Sequence, residues 1–266
     1  YGIIKKYNPL LRLLYQGEKW IYKKADKLIF TMEGGKDYII EKGWDKENGG
    51  PIDINKVHHI NNGVDLEAFN YNKEQYKIED EDLDNPNIFK VVYTGSIRLV
   101  NKVELLVDVA KKLKDENVKI LIWGTGDQVE KIGQKIQSEQ LNNIVLKGKV
   151  DKKYIPSILA KSDLNIIIGD TSNIFRFGLS PNKLFEYFAS GKPVLQTFKV
   201  NYSIVEKNKA GIELNDNKSD TIAEAVKFFS AMQDLEYQKY CINSLNLSHE
   251  YNYEKLTNKL VEIIEK

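Results

Sequence analysis

The residues best suited to chemistry are glycines and cations in four short loops. The loops are residues 94–98, 123–127, 147–150 and 176–183, and each follows an apolar run that predicts a strand. Glycine lets a backbone approach a ligand closely, and the N-terminus of a following helix offers unpaired N–H groups to a phosphate. If the strands are parallel, their carboxyl ends lie at one edge of the sheet. We therefore expect all four loops to face one cleft.

The loops supply a set of candidate binding residues. Arg98 and Lys102 are the candidates for neutralising a diphosphate. The candidates for contacting the rest of a nucleotide-like ligand are Gly95, Ser96, Gly124, Gly126, Gly148, Lys149, Val150, Gly178, Leu179, Ser180, Asn182, Lys183 and Glu186. Each glycine, taken alone, could also close a strand-to-helix turn for steric reasons. The prediction rests on their common position after successive strands.

The fourth loop leads into the most informative helix, which begins near Pro181. Helical spacing puts Lys183, Glu186, Tyr187 and Ser190 on one polar stripe. The stripe expected to pack holds Leu184, Phe185, Phe188 and Ala189. Glu186 lies one turn into the helix, where a carboxylate can accept hydrogen bonds from two adjacent ribose hydroxyls. The alternatives are a surface ion pair of Glu186 with Lys183, and a helix cap with a solvated charge for Asn182 and Lys183.

The elements that position these loops alternate along the chain. Strands are predicted at residues 89–94, 118–123, 143–146, 163–168, 193–197 and 211–214. Helices are predicted at residues 102–114, 127–140, 152–161, 182–190 and 220–232, with a short helix after Asn201. Parallel strands need helical crossovers, so this alternation predicts an α/β fold with a parallel, Rossmann-type sheet covered by helices on both faces.

The flanking segments suggest a division into domains. Residues 1–70 carry a helix at 7–26, a strand at 27–31, a helix at 33–42 and a strand at 56–60, which is typical of the tail of an α/β domain. Residues 71–87 are polar and acidic, which predicts an exposed linker. Residues 88–232 form the predicted binding domain, and residues 233–266 form two C-terminal helices. Because the chain opens on Tyr1 within an amphipathic helix, we expect it to be a piece of a longer protein.

Composition excludes several classes of function. The 39 basic and 38 acidic residues among 266 leave a formal charge of +1, which gives no sign of a nucleic-acid partner. A single cysteine, Cys241, cannot form an intramolecular disulfide and favours a cytoplasmic setting. No apolar run approaches the ~20 residues that span a bilayer. Two alternatives stay open for the basic opening helix. It packs on its own domain, or it lies on the inner, anionic face of a membrane.

A metal site is not expected. His58 and His59 are neighbours in a predicted strand, so their side chains point to opposite faces. His249 has no cysteine or histidine at ligand spacing. The acidic run at residues 79–84 is typical of a solvated loop.

The motifs resemble those of a known family. The loop glycines, together with SPNKLFEYFASGKPV at residues 180–194, resemble the donor domain of the large retaining GT-B glycosyltransferases (glycosyl transferases group 1). Upstream, ADKLI at residues 25–29 and INNGVDLEAF at residues 60–69 resemble the end of the acceptor domain. The resemblance implies a GT-B-like fold with a complete donor domain and a truncated N-terminal acceptor domain. It further implies a UDP-linked nucleotide-sugar donor, no cofactor, and transfer to an acceptor hydroxyl with retention.

The resemblance also implies roles for individual residues. Glu186 would hold the ribose, the preceding loop would cradle the diphosphate, and Arg98 and Lys102 would neutralise the leaving phosphates. Two positions depart from the family: Ser96 stands where a basic residue is common, and Gly178 stands where a glutamate often touches the donor sugar.

The Ser-Pro-Asn-Lys variant is similar to the branch that builds bacterial capsule, O-antigen and exopolysaccharide, which implies a sugar or lipid-linked acceptor. Two other functions stay open: a nucleotide-sugar epimerase and a non-catalytic nucleotide-binding module. With only part of the acceptor domain, we expect the chain to bind nucleotide without transferring sugar.

Overall fold

The computed structural model describes residues 8–169 and 173–266. Its strands are β1 (Leu28–Phe30), β2 (Val57–His59), β3 (Phe89–Thr94), β4 (Val118–Trp123), β5 (Ile144–Gly148), β6 (Leu164–Ile167), β7 (Val194–Gln196) and β8 (Gly211–Glu213). Its α-helices are α1 (Pro9–Lys24), α2 (Gly35–Glu41), α3 (Leu66–Gln75), α4 (Leu105–Lys112), α5 (Val129–Ser138), α6 (Ile155–Ala160), α7 (Asn182–Ala189), α8 (Ile204–Lys207), α9 (Ser219–Ser230), α10 (Asp234–Glu250) and α11 (Tyr253–Glu265). Within these residues, no helix is long and apolar enough to cross a membrane.

A six-stranded parallel sheet forms the larger unit. Its order is β5-β4-β3-β6-β7-β8, with every neighbouring pair parallel. Alternate residues of β3 and β4 enter two separate cores, because both faces of a parallel sheet are covered by crossover helices. Helices α4, α5 and α9 cover one face, and α6, α7 and α8 cover the other. The predicted Rossmann-type sheet is confirmed, including all six strands.

A smaller unit precedes the sheet. Strands β1 and β2 pair in parallel, and Leu28, Ile39, Trp44, Ile52 and Val57 form its core beneath α2. Helix α1 lies beside this core without burying any residue; Leu13 and Trp20 remain 64% and 62% exposed. The apolar stripe of α1 is therefore largely uncovered. The predicted start of this helix at Tyr7, and its lysines at positions 5 and 6, lie outside the described residues.

The C-terminal helices join the two units. Helix α10 packs along α7, and the chain then returns to the segment that follows β2. There the N–H of Val64 donates to the carbonyl of Tyr251 at 3.0 Å, and the N–H of Tyr253 donates to the carbonyl of Val64 at 3.0 Å. This exchange fixes the turn before α3 against the junction of α10 and α11.

The acidic segment before β3 is held against the sheet by ion pairs. The Lys147 ammonium lies 2.7 Å from Asp80 and 2.6 Å from Asp82, and Lys119 also pairs with Asp82. Asp82 and Leu83 are only 7% and 3% exposed. Helix α3 occupies the first part of the predicted linker at residues 71–87, and Asp82 is held by two lysines, while Glu79, Glu81 and Asp84 are exposed as expected. The reason is long-range: lysines on β4 and β5 need negative partners once their stems are buried.

Asp82→Asn should lower the free energy of unfolding by about 2 kcal/mol, since it leaves two partly buried lysines short of negative charge. Burial opposes ionisation of the Asp82 carboxyl, but hydrogen bonds from Lys119 and Lys147 outweigh it and hold its pKa below the usual range. A depressed pKa means that this stabilisation is present above about pH 4 and is lost as the pH falls further. Urea unfolding followed by tryptophan fluorescence measures both effects.

The matched control is Glu139→Gln, which removes the partner of Lys111 in a pair whose side chains are 33% and 44% exposed. Such a surface pair contributes little, so this variant should unfold almost like the parent chain. Equal losses in the two variants would contradict the attachment of the acidic segment.

Candidate functional site

Three of the predicted loops meet side by side at the carboxyl edge of the sheet. The N–H of Gly95 donates to the carbonyl of Trp123 at 3.0 Å, and the N–H of Gly124 donates to the carbonyl of Gly148 at 2.9 Å. These bonds continue the β3–β4–β5 ladder beyond the strands. The loops enclose a cavity of about 310 Å³, the loop pocket, lined among others by Ser96, Lys149 and Val150. Three of the four loops therefore line one cavity, and the fourth, at residues 176–183, is absent from the described lining.

Close packing between the loops explains two of their glycines. A Cβ at Gly124 would overlap the carbonyl oxygen of Gly95, and a Cβ at Gly126 would overlap the carbonyl oxygen of Ile97. The steric explanation is thus sufficient at both positions. Gly148 differs, because it has a φ of +76° and open space where its Cβ would stand.

Helix α7 is docked against the end of β3 by Tyr187. This side chain is fully buried, and its hydroxyl accepts from the N–H of Thr94 at 3.1 Å. Its assignment to the polar stripe was wrong, because the helix packs on its flank as well as on its apolar face. Lys183 and Glu186 are placed by this docking.

Glu186 lies close to Lys152, the residue that lines two neighbouring cavities. Its side chain is 21% exposed, and its carboxylate is 3.6 Å from the ammonium of Lys152. Burial raises the pKa of the Glu186 carboxyl, and the neighbouring Lys152 and Lys183 oppose that rise. With Asn182 and Asp65 it lines a second cavity of about 280 Å³, the crossover pocket.

Lys152 was missed by the sequence analysis. It belongs to a 3-10 turn before α6 and lines both the loop pocket and the crossover pocket. Its position puts an exposed ammonium beside the half-buried Glu186 carboxylate. The sequence carried no signal for this contact, because the pairing is between elements 34 residues apart (186 − 152).

Lys183 is turned inward rather than solvated. Its ammonium donates to the hydroxyl of Tyr93 at 3.2 Å and lies 4.2 Å from the centre of that ring. A Cβ at Gly95 would overlap this ammonium. Burial lowers the pKa of Lys183 to about 8, against a smaller opposing effect of Glu186. The interpretation as a solvated surface charge is therefore wrong.

The two proposed phosphate cations line one cavity together, and Arg98 lines the loop pocket as well. Arg98 is exposed and lines the loop pocket. Lys102 has a φ of +53° and lies before α4, so its predicted place inside a helix was wrong. It lines a neighbouring cavity together with Glu104 and Asp108, and it is absent from the described lining of the loop pocket.

The fourth loop contacts the smaller unit. Asn62 donates from its N–H to the Ser180 hydroxyl at 3.0 Å and from its amide to the Ser180 carbonyl at 2.6 Å. Gly178 has a φ of +106°, and its Cβ position faces the N–H of Glu33 at 3.4 Å. A side chain at residue 178 would be strained and crowded there. Leu179 packs in the core beneath α7.

A bidentate ion pair secures the same loop. Arg176 lies 2.9 and 2.6 Å from the two carboxylate oxygens of Glu41 on α2. Its guanidinium is 4.3 Å from the ring centre of Phe177, and that ring meets Tyr38 edge-on at 5.4 Å. The loop that precedes α7 is thus shared between the two units.

Residues 88–231 match the model of the family described as glycosyl transferases group 1. This match covers more than half of the chain. The chain belongs to the group 1 glycosyltransferases. Within its described residues, no group of three or more His, Cys, Asp or Glu side chains is arranged to hold a metal ion.

Relatives of this glycosyltransferase are distant in sequence. It is 25% identical to an uncharacterized glycosyltransferase of Methanocaldococcus jannaschii, over 93% of this chain and 60% of the relative. It is 24% identical to a putative teichuronic acid biosynthesis glycosyltransferase of Bacillus subtilis, over 70% of this chain and 44% of the relative. The chain thus spans 60% and 44% of the length of these two relatives.

A solved structure agrees with the fold of this glycosyltransferase. Anabaena HepE, determined in complex with UDP and glucose, aligns with a TM-score of 0.72 at 16% identity, over 96% of this chain and 68% of HepE. The GT-B-like α/β fold predicted for the group 1 glycosyltransferase is confirmed. At this identity the likeness concerns the fold alone.

Gly124→Ala should destabilise the glycosyltransferase by about 1–3 kcal/mol, because the new methyl group meets a backbone carbonyl that cannot move without breaking the loop contacts. The control is Gly133→Ala in the middle of α5, where the nearest atom is a Leu146 methyl at 3.8 Å. That change should stabilise the chain by up to about 1 kcal/mol through helix propensity. Thermal unfolding followed by circular dichroism measures both; stabilisation by both variants would contradict the close approach of the loops.

Proposed function

We propose that this chain forms the donor-binding part of an enzyme that transfers a sugar from a nucleoside diphosphate sugar, UDP-linked, to an acceptor hydroxyl with retention at the anomeric carbon. One observation carries the proposal: the buried Glu186 carboxylate lies one turn into α7, while Lys183 from the same helix meets the Gly95 loop. This pairs an acceptor for ribose hydroxyls with a cation for a diphosphate. The complex of HepE with UDP and glucose supports the choice of nucleotide.

Departure of the nucleoside diphosphate is the step that such a site must assist. Negative charge grows on the leaving oxygens, and preorganised cations and helix-end N–H groups stabilise it. Arg98 and the N-terminal turn of α7 provide such groups beside the loop pocket. We propose that they act without a cofactor or metal ion. Assignment of a phosphate role to Lys102 stays a prediction.

The biological setting is proposed from the motif and from one relative. The Ser-Pro-Asn-Lys variant and the name of the Bacillus subtilis relative, a putative teichuronic acid biosynthesis glycosyltransferase, support a role in surface-polysaccharide synthesis. The acceptor would be a sugar or a lipid-linked sugar. A lipid-linked acceptor would bring the enzyme to the inner face of a membrane, where Arg12, Lys19 and Lys23 of α1 would meet anionic headgroups.

A thermal-shift screen of this chain against nucleotide sugars with different bases and hexoses tests the proposal. Binding to the folded state raises its stability by about 2.7 kcal/mol at a ligand concentration 100 times Kd. Stabilisation by a UDP-sugar, and not by the matching free sugar, is expected. An absence of stabilisation by every nucleotide sugar would refute the proposal. Donor consumption without any acceptor would instead favour an epimerase.

Glu186→Ala should weaken UDP binding by about 1.5–3 kcal/mol, and Glu186→Gln should weaken it less, because an amide oxygen still accepts a hydrogen bond. Titration calorimetry compares both with the parent chain. Glu206→Gln, an acid-to-amide change on α8 away from both pockets, is the control and should bind UDP normally. Unchanged affinity in both Glu186 variants would leave that residue without a binding role.

UDP affinity should be the same in EDTA and in Mg²⁺, since cations of the chain replace a metal in the proposed site. The same titration in the two buffers gives the answer. Binding that required Mg²⁺ or Mn²⁺ would overturn the proposed stabilisation of the leaving group.

A further inference from the structure

Beside Gly95, one of the residues that line the loop pocket, lies a cation that the fold has turned away from solvent. The Lys183 ammonium packs over the Tyr93 ring, donates to the Tyr93 hydroxyl and occupies the space beside Gly95 that a Cβ would take. Among the described residues, no carboxylate lies within ion-pairing distance of it, the nearest candidate being Glu186, which pairs with Lys152. A buried ammonium without a counter-ion is costly unless a ligand supplies one.

The position directly after Gly95 cannot supply this charge. Ser96 stands there, and its hydroxyl donates to the side chain of Asn101 at 3.2 Å. Lys102 lines a different cavity, with Glu104 and Asp108. The positive charge beside Gly95 therefore comes from Lys183 on helix α7. It does not come from the loop that follows β3.

We propose that Lys183 is the catalytic cation that contacts the diphosphate of the donor, and that it takes up a proton from solvent as the donor binds. The inference rests on the proposed function. It adds which residue contacts the diphosphate and that this residue is protonated when the donor binds. In the empty site the amine is partly neutral; with a diphosphate beside Gly95 it becomes a full ammonium. The same charge then faces the leaving oxygens as the sugar–phosphate bond breaks.

The surrounding groups make this change specific to Lys183. Burial lowers its pKa to about 8, while that of Tyr187 is raised to about 12 and that of Tyr93 is raised further, so both phenols stay neutral. The other charged groups that face this part of the helix are Glu186, on the same helix, and Lys152, on the facing 3-10 turn, and they pair with each other at 3.6 Å. A diphosphate favours the charged amine and raises its pKa. Binding is then fully favourable below about pH 8 and weakens as the pH rises above it.

Calorimetric titration of the whole chain with UDP at about pH 7 and about pH 9 tests the inference. The parent chain should bind UDP about tenfold more weakly at the higher pH. Lys183→Met should bind roughly ten- to a hundredfold more weakly than the parent at the lower pH, with no pH dependence. Lys183→Arg keeps its charge throughout, so its affinity should also be independent of pH. Uridine, which lacks the diphosphate, corrects for titration of the base.

Lys102→Met is the comparison, and it should retain the tenfold pH dependence. Circular dichroism of each variant establishes that it is folded; should Lys183→Met fail to fold, the Arg variant still decides the question.

If the UDP affinity of the parent chain is the same at the two pH values, the role of Lys183 alone is overturned. Loss of the pH dependence in Lys102→Met overturns that role too. Failure of the parent chain to bind UDP at either pH overturns the proposed function and this inference with it.

Discussion

The hydrogen bond from the Thr94 N–H to the buried hydroxyl of Tyr187 determines where helix α7 meets the sheet. Thr94 is the last residue of β3, so this bond fixes the helix at the point where the Gly95 loop begins. Lys183 and Glu186 lie one turn and one residue before Tyr187 and are placed by the same contact. Removing the acceptor would leave a buried N–H unpaired, and for that reason the docking is specific rather than a general apolar contact.

The loop before α7 adds a second constraint, since it belongs to both units of the chain. Arg176 is paired with Glu41, and Ser180 accepts two hydrogen bonds from Asn62. Gly178 lies between these attachments, in a conformation that suits glycine and against the backbone of Glu33. The departure from the family's glutamate at this position therefore has a physical cause. In the proposed function, a donor sugar would be recognised by groups from other parts of the cleft.

Sequence patterns predicted the elements better than the contacts between them. Strict alternation of apolar strands and amphipathic helices was enough to predict the sheet and to put the glycine loops at one edge. Helical periodicity failed for Tyr187, because it distinguishes two faces and α7 is covered on its flank as well. It also gave no information on Lys152 or on the Lys147 pairs with Asp80 and Asp82, since those contacts join distant segments. The sequence indicated that Gly124 forms a turn. It could not show that Gly124 lies against the carbonyl oxygen of Gly95.

Lys147 and Lys183 are both removed from solvent, but their pKa values shift in opposite directions, because only Lys147 has carboxylate partners. Around Lys147 burial opposes the charge, but hydrogen bonds to Asp80 and Asp82 outweigh it and raise the pKa of that ammonium. Burial lowers the pKa of Lys183, and the nearby charge of Glu186 opposes this lowering only in part. The first lysine has its counter-charge within the fold, so its contribution is structural. The second lysine has no carboxylate at ion-pairing distance among the described residues, and the neighbouring Glu186 is offset only in part by Lys152, since burial still raises its pKa. In the proposed function, a ligand with a diphosphate and adjacent hydroxyls would compensate both groups at once, and that complementarity is the reason for proposing these two residues rather than the more numerous surface charges.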